Sequence, residues 1–136
     1  MASRAGPPPH RFSLIDAVDK LVEVVGSVDA EVIFSTCIDL YGFVGDSECF
    51  VSNDQPVTML PVDELFYLPR KTGAAAVMFT SKSSGDIAEL WDCDVEFTKR
   101  LIEAGRSLGI PVHDHVLVEG KAFRVMSECT DLWPTC

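Results

Sequence analysis

The sequence predicts an α/β (α+β) domain, a mixed β-sheet flanked by helices, from three observations. Glu31 to Leu40 and Val112 to Val118 are rich in the β-branched and aromatic residues that favour strands. Leu14, Val18, Leu21, Val22 and Val25 recur at helical spacing, and Val95, Leu101, Ile102 and Leu108 give a second helix an apolar stripe. Between these helices, Ala74 to Phe79 is apolar without interruption, which suits a central strand covered on both faces. With 136 residues, 47% of them hydrophobic, the chain can build one core and one domain.

Residues 1–11, MASRAGPPPHR, have no periodicity and carry three consecutive prolines, so a disordered tail is expected before a domain over residues 12–128. Ser13 followed by Asp16 resembles an acidic capping box and starts a helix to about Gly26. Glu31 to Leu40 is the first strand, Gly42 and Gly45 punctuate a turn, and the extended run around Glu48 to Ser52 completes a hairpin. After the polar loop SNDQP, Pro61 with Asp63 and Glu64 opens a short helix, which Pro69 is expected to end or kink. The strand Ala74 to Phe79 then leads into the loop SKSSGD. A helix follows from about Asp92 to Leu108 with Gly109 as its cap. Val112 to Val118 pairs with Lys121 to Val125 across Glu119-Gly120, and residues 129–136 are expected to drape over the surface.

Twenty-one acids against eleven Lys and Arg give a net charge of -10 at pH 7, with no basic cluster. A surface that tracks phosphates is therefore not expected, and no nucleic-acid partner with it. No apolar run is long enough to cross a bilayer, and the N-terminus lacks the apolar segment of a signal peptide. Cys37, Cys49, Cys93, Cys129 and Cys136 form no C-x-x-C pair, and their odd number leaves at least one unpaired. A soluble, acidic, cytoplasmic protein is the expectation.

From Ala74 to Glu128 the residues follow a pattern in register. Ser84-Gly85-Asp86 precede a helix whose start carries Asp94 and Thr98 and whose end carries Leu101, Ala104, Gly105, Leu108, Gly109 and Ile110. Asp114, His115, Leu117 and Val118 lie on the next strand, and Ser127 and Glu128 fit a closing one. This stretch resembles the RadC-like branch of the JAB/MPN (JAMM) metalloprotease superfamily, with its H-x-H-P-S-G-D strand end, S-x-x-D helix start and D-H strand. The resemblance implies a JAB/MPN fold of cytidine-deaminase-like architecture and, in intact members, zinc-dependent hydrolysis. There the metal lowers the pKa of its bound water and a glutamate relays protons.

The zinc-ligand histidines of that family fall here on Thr80 and Lys82. The third ligand falls on Asp94 or, without a one-residue insertion, on Cys93, and the general-base glutamate on Glu31. The remnant of the family site is therefore Glu31 and Asp94, accompanied by Lys82 and Ser84. One carboxylate does not hold zinc, so no cofactor is expected. A metal-free pseudoenzyme that binds a protein or peptide is the leading expectation. Its rival is a JAB/MPN-type metallohydrolase, an isopeptidase or peptidase that rebuilt its metal site from Asp94, Cys93 and His115, with Glu31 nearby. In the first reading Lys82 enters the vacated pocket and pairs with Asp94 or Glu31, replacing part of the lost charge. Two bland assignments stand beside these. Ser83 to Asp86 is an inherited turn rather than a nucleotide-binding loop, and His113-Asp114-His115 is structural, since i and i+2 on a strand offer only two convergent ligands.

Overall fold

The computed structural model describes residues 14–52, 55–82, 91–119 and 122–133. The expected N-terminal tail and the SSGD turn lie outside the described residues. Helix α1 spans Leu14–Ser27, and strands β1 (Glu31–Ile38) and β2 (Val44–Ser52) follow. Two 3-10 turns, Val57–Met59 and Val62–Phe66, lead into α2 (Tyr67–Thr72). Strand β3 (Ala76–Lys82), helix α3 (Trp91–Leu108), strands β4 (Val112–Glu119) and β5 (Ala122–Val125) and the single turn α4 (Met126–Cys129) complete the described chain. None of the described helices is long and apolar enough to cross a membrane.

The five strands form one mixed sheet in the order β2-β1-β3-β4-β5. Strands β3 and β4 are parallel and the other neighbours antiparallel. The apolar strand is central, as its composition requires. Because side chains alternate across a strand, the sheet presents two faces with separate cores. Val22 and Val25 of α1 pack on Val32, Met78, Val116 and Val118. On the other face, Phe97 and Leu101 of α3 join Leu65 and Phe66 against Ile33, Val77 and Phe79. The rings of Phe66 and Phe79 meet edge to face at 5.3 Å.

Several boundaries differ from the sequence expectation. Strand β3 runs on past Phe79 through Thr80 to Lys82, so the start of the segment that reads as loop is strand, with Ser81 only 4% exposed. Pro69 does not end its helix: it sits in the first turn of α2, where a missing N–H leaves no intrahelical bond unmade. The closing strand at Ser127 and Glu128 is the helical turn α4. The C-terminal stretch does not simply drape, because Trp133 packs against the α3-side core and its indole N–H donates to the Val112 carbonyl at 2.8 Å.

Gly109 ends α3 with φ +75, a left-handed conformation that costs glycine little. Gly105 has a different reason. A Cβ there would lie 2.5 Å from the Ile110 carbonyl oxygen, 3.2 Å from Val112 Cγ2 and 3.4 Å from Phe66 Cε2. The chain leaving α3 folds back against this glycine, and Ile110 N–H donates to its carbonyl at 2.9 Å. In an open helix Gly→Ala gains close to 1 kcal/mol. Here the contact with backbone wins, so Gly105→Ala is expected to destabilise the fold by about 1–3 kcal/mol in urea denaturation.

Candidate functional site

The two expected carboxylates come together on the α3 face. Glu31 opens β1 two residues before Ile33, and strand alternation places both on that face. Its Oε1 accepts a hydrogen bond from the Val57 N–H at 3.3 Å. Asp94, in the first turn of α3, is 4% exposed. Burial, and after it the neighbouring Glu31 carboxylate, push the Asp94 carboxyl up to about 6.

Behind this pair lies a polar network that the sequence reading did not assemble. His115 is fully buried, with Nε2 2.7 Å from Ser81 Oγ and Nδ1 2.7 Å from Thr98 Oγ1. The Thr98 hydroxyl donates its one hydrogen to the Asp94 carbonyl at 2.8 Å. It must therefore accept from Nδ1–H, which leaves the Nε2 lone pair to accept from Ser81. Burial lowers the imidazole pKa to about 3, so His115 stays neutral and inert as a base. Thr98 was visible in the family register. Ser81 was not singled out, although it follows Phe79 by two positions and so shares its face.

The remaining expected site residues do not converge here. Lys82 and Thr80 pair across the sheet with Val118 and Val116, which belong to the α1-side core, so both project away from Asp94. The Lys82 ammonium donates to the carbonyl oxygens of Gly26, at 3.2 Å, and Val28. The expected pair with Asp94 or Glu31 is thereby corrected: the cation meets the negative end of α1 instead. Ser84 lies outside the described residues. Cys93 is exposed on the outside of α3, while His115 has both ring nitrogens in use. His113 is separated from His115 by a register shift opposite Val77/Met78 and is exposed.

These donors do not fit zinc. Thr80 and Lys82, the positions to which the resemblance assigns the histidine ligands, hold a hydroxyl and an ammonium on the α1 face, and Asp94 supplies a single carboxylate. Among the described residues no three His, Cys, Asp or Glu side chains gather as a metal centre would gather them. What the arrangement offers is a partly buried pair of carboxylates next to a hydroxyl–imidazole chain.

Two outcomes follow from this geometry. Because the folded state holds the Asp94 proton more tightly than the unfolded chain, the contribution of Asp94 to stability worsens as pH rises from the ordinary 3.8 to about 6. The cost is then full at neutral pH, on the order of 3 kcal/mol. Asp94→Asn is thus expected to be more stable than the parent at pH 7, with the difference vanishing toward about pH 4, as measured by urea denaturation across that range. His115 acts with the opposite sign, since its contribution is complete above 6.5 and is lost as pH falls toward 3. The Asp94→Asn chain should therefore lose stability more steeply on acidification than the parent. The second outcome concerns the metal. Thr80→His with Lys82→His is expected to hold no zinc against a chromophoric chelator, because both new imidazoles face α1.

Residues 14–130 match the RadC-like JAB domain family. UPF0758 proteins of Bacillus mycoides, Bacillus cereus and Bacillus anthracis are each 37% identical to this chain over 59 residues, covering 43% of the chain and 26% of the relative. The matched segment thus spans about a quarter of the length of these relatives. With the family matched over nearly all of the described chain, and with a mixed sheet between helices as that fold requires, the protein belongs to the RadC-like JAB domain family.

Proposed function

We propose that this chain is a metal-free JAB domain, a pseudoenzyme that serves as a protein- or peptide-binding module. The observation that carries the reading is the commitment of His115. It is the one imidazole of the described residues buried beside Asp94, and both its nitrogens are hydrogen-bonded to hydroxyls. A catalytic zinc needs about three protein ligands and an open position, and the face that holds Glu31 and Asp94 supplies carboxylates and hydroxyls. The net charge of -10 favours cationic protein partners and disfavours nucleic acid. The four described cysteines are free thiols, which suits the reducing cytoplasm.

The test is elemental analysis of untagged protein prepared without chelator, combined with thermal melts with and without EDTA. The expected result is a cooperative melt that EDTA leaves unchanged and no near-stoichiometric zinc. A bound metal would stabilise the fold by mass action, so a chelator-induced fall in Tm with stoichiometric zinc would overturn the reading and favour a hydrolase.

A further inference from the structure

Strand β2 forms one edge of the sheet, and no described strand pairs with its outer side. It is nine residues long, and such an edge presents unpaired N–H and C=O groups that can template another strand. Its side chains on the α3 face, Glu48 and Phe50, form one wall of a pocket of about 760 Å³. Asp63, Glu64 and Tyr67 of the 3-10 and α2 segment help to form the rest.

The chemistry of this pocket points to one kind of occupant. Glu48 Oε1 is buried and has no hydrogen-bond partner, and the same is true of Ser35 Oγ, its cross-strand neighbour, which is fully buried. Buried acceptors without donors are rare and costly. Arg70 and Lys71 also line the pocket, but they lie in the last turn of α2, and the Lys71 ammonium sits 5.8 Å from the centre of the Tyr67 ring. Glu48, Asp63 and Glu64 still outnumber the two cations of the lining, and the unpartnered Glu48 oxygen together with the Phe50 ring suits an alkylammonium group. The strand itself adds Asp46 and no basic residue.

We propose that the outer edge of β2 takes an extended, lysine-bearing peptide as a sixth strand, with a lysine side chain entering the pocket alongside Phe50 and Tyr67 toward Glu48. This rests on the peptide-binding reading above and gives it a surface away from the Glu31–Asp94 recess. Strand addition draws affinity from main-chain hydrogen bonds and specificity from pockets for alternate side chains. A second copy of this chain is the poorer occupant. Antiparallel self-pairing centred on Asp46 or Glu48 sets a carboxylate against itself, and centring on Ser47 sets Asp46 against Glu48. Like charges directly opposite destabilise a strand pair, and each copy adds a net charge of -10.

The experiment uses the full chain, isotopically labelled, titrated with a capped peptide of alternating lysine and threonine about eight residues long, the length of an ordinary strand. The expected result is amide shifts along β2 and α2, binding that weakens with salt, and no binding when glutamate replaces lysine. Glu48→Gln should weaken binding about fivefold. Tyr67→Ala, at a side chain already 57% exposed, should also weaken binding without unfolding the chain. Methylating alternate peptide amides should abolish it. Shifts confined to the surroundings of Glu31 and Asp94, with Glu48→Gln silent, would overturn the β2 site while leaving the peptide-binding reading intact. Failure of the lysine peptide to bind, or self-association through β2 in light scattering, would also overturn the β2 site. Stoichiometric zinc in the preceding test would overturn the pseudoenzyme reading independently.

Discussion

The hydrogen bonds on the two ring nitrogens of His115 hold three elements of this structure together. They join β3 through Ser81, β4 through His115 itself and α3 through Thr98. A fully buried imidazole has to be neutral and satisfied at both nitrogens, and Thr98 accepts from Nδ1 only because its own hydrogen goes to Asp94. This fixes the rotation of α3. With Thr98 turned to the sheet, Asp94, one turn earlier, shares that face and is carried toward Glu31. Phe97 adds an edge-to-face contact with the imidazole at 6.0 Å. The acidic recess is thus a consequence of how the helix is keyed to the sheet.

The adjacent residue anchors a different element. Asp114 accepts hydrogen bonds from the His115 N–H at 2.8 Å and from the Ser127 N–H at 3.1 Å, tying β4 to the start of α4. Both members of the Asp-His pair thus hold elements of the fold together by hydrogen bonds. The register shift beside it makes His113 the additional residue on β4, exposed while His115 is buried. An H-x-H on a regular strand would share one face, and this irregularity separates the two rings.

Order and type of the elements were legible because the apolar periods were strong, notably in α1, β3 and α3. The hairpin, the central strand and the paired Glu31 and Asp94 followed from pattern and motif. What the sequence concealed was which face a residue takes. A motif counts positions, whereas a one-residue change of register transfers a strand side chain to the other side of the sheet. Thr80 and Lys82 occupy the family's histidine positions by count, yet they face α1. Ser81, between them, faces α3. The length of β3 was hidden for a related reason, since Ser81 and Lys82 read as loop by polarity. Trp133 was invisible to any period because it acts as a single anchor at the end of an irregular segment.

The fate of Lys82 explains how the acidic recess is stabilised. A cation placed between Glu31 and Asp94 would lower the cost of ionising both. Lys82 could supply it only from the opposite face, and there its ammonium already satisfies carbonyl oxygens at the end of α1, where intrahelical partners run out. Burial, and after it the neighbouring Glu31 carboxylate, let Asp94 hold its proton up to about pH 6. Below that pH the Asp94 carboxyl is neutral. Above it the second charge is forced onto a buried group, and the fold withstands this through contacts that do not depend on the recess, chiefly the neutral His115 chain and the Phe66–Phe79 core. The helix anchor is thus independent of the charge on the acidic pair, since Thr98 donates to the main-chain carbonyl of Asp94 and the His115 imidazole stays neutral.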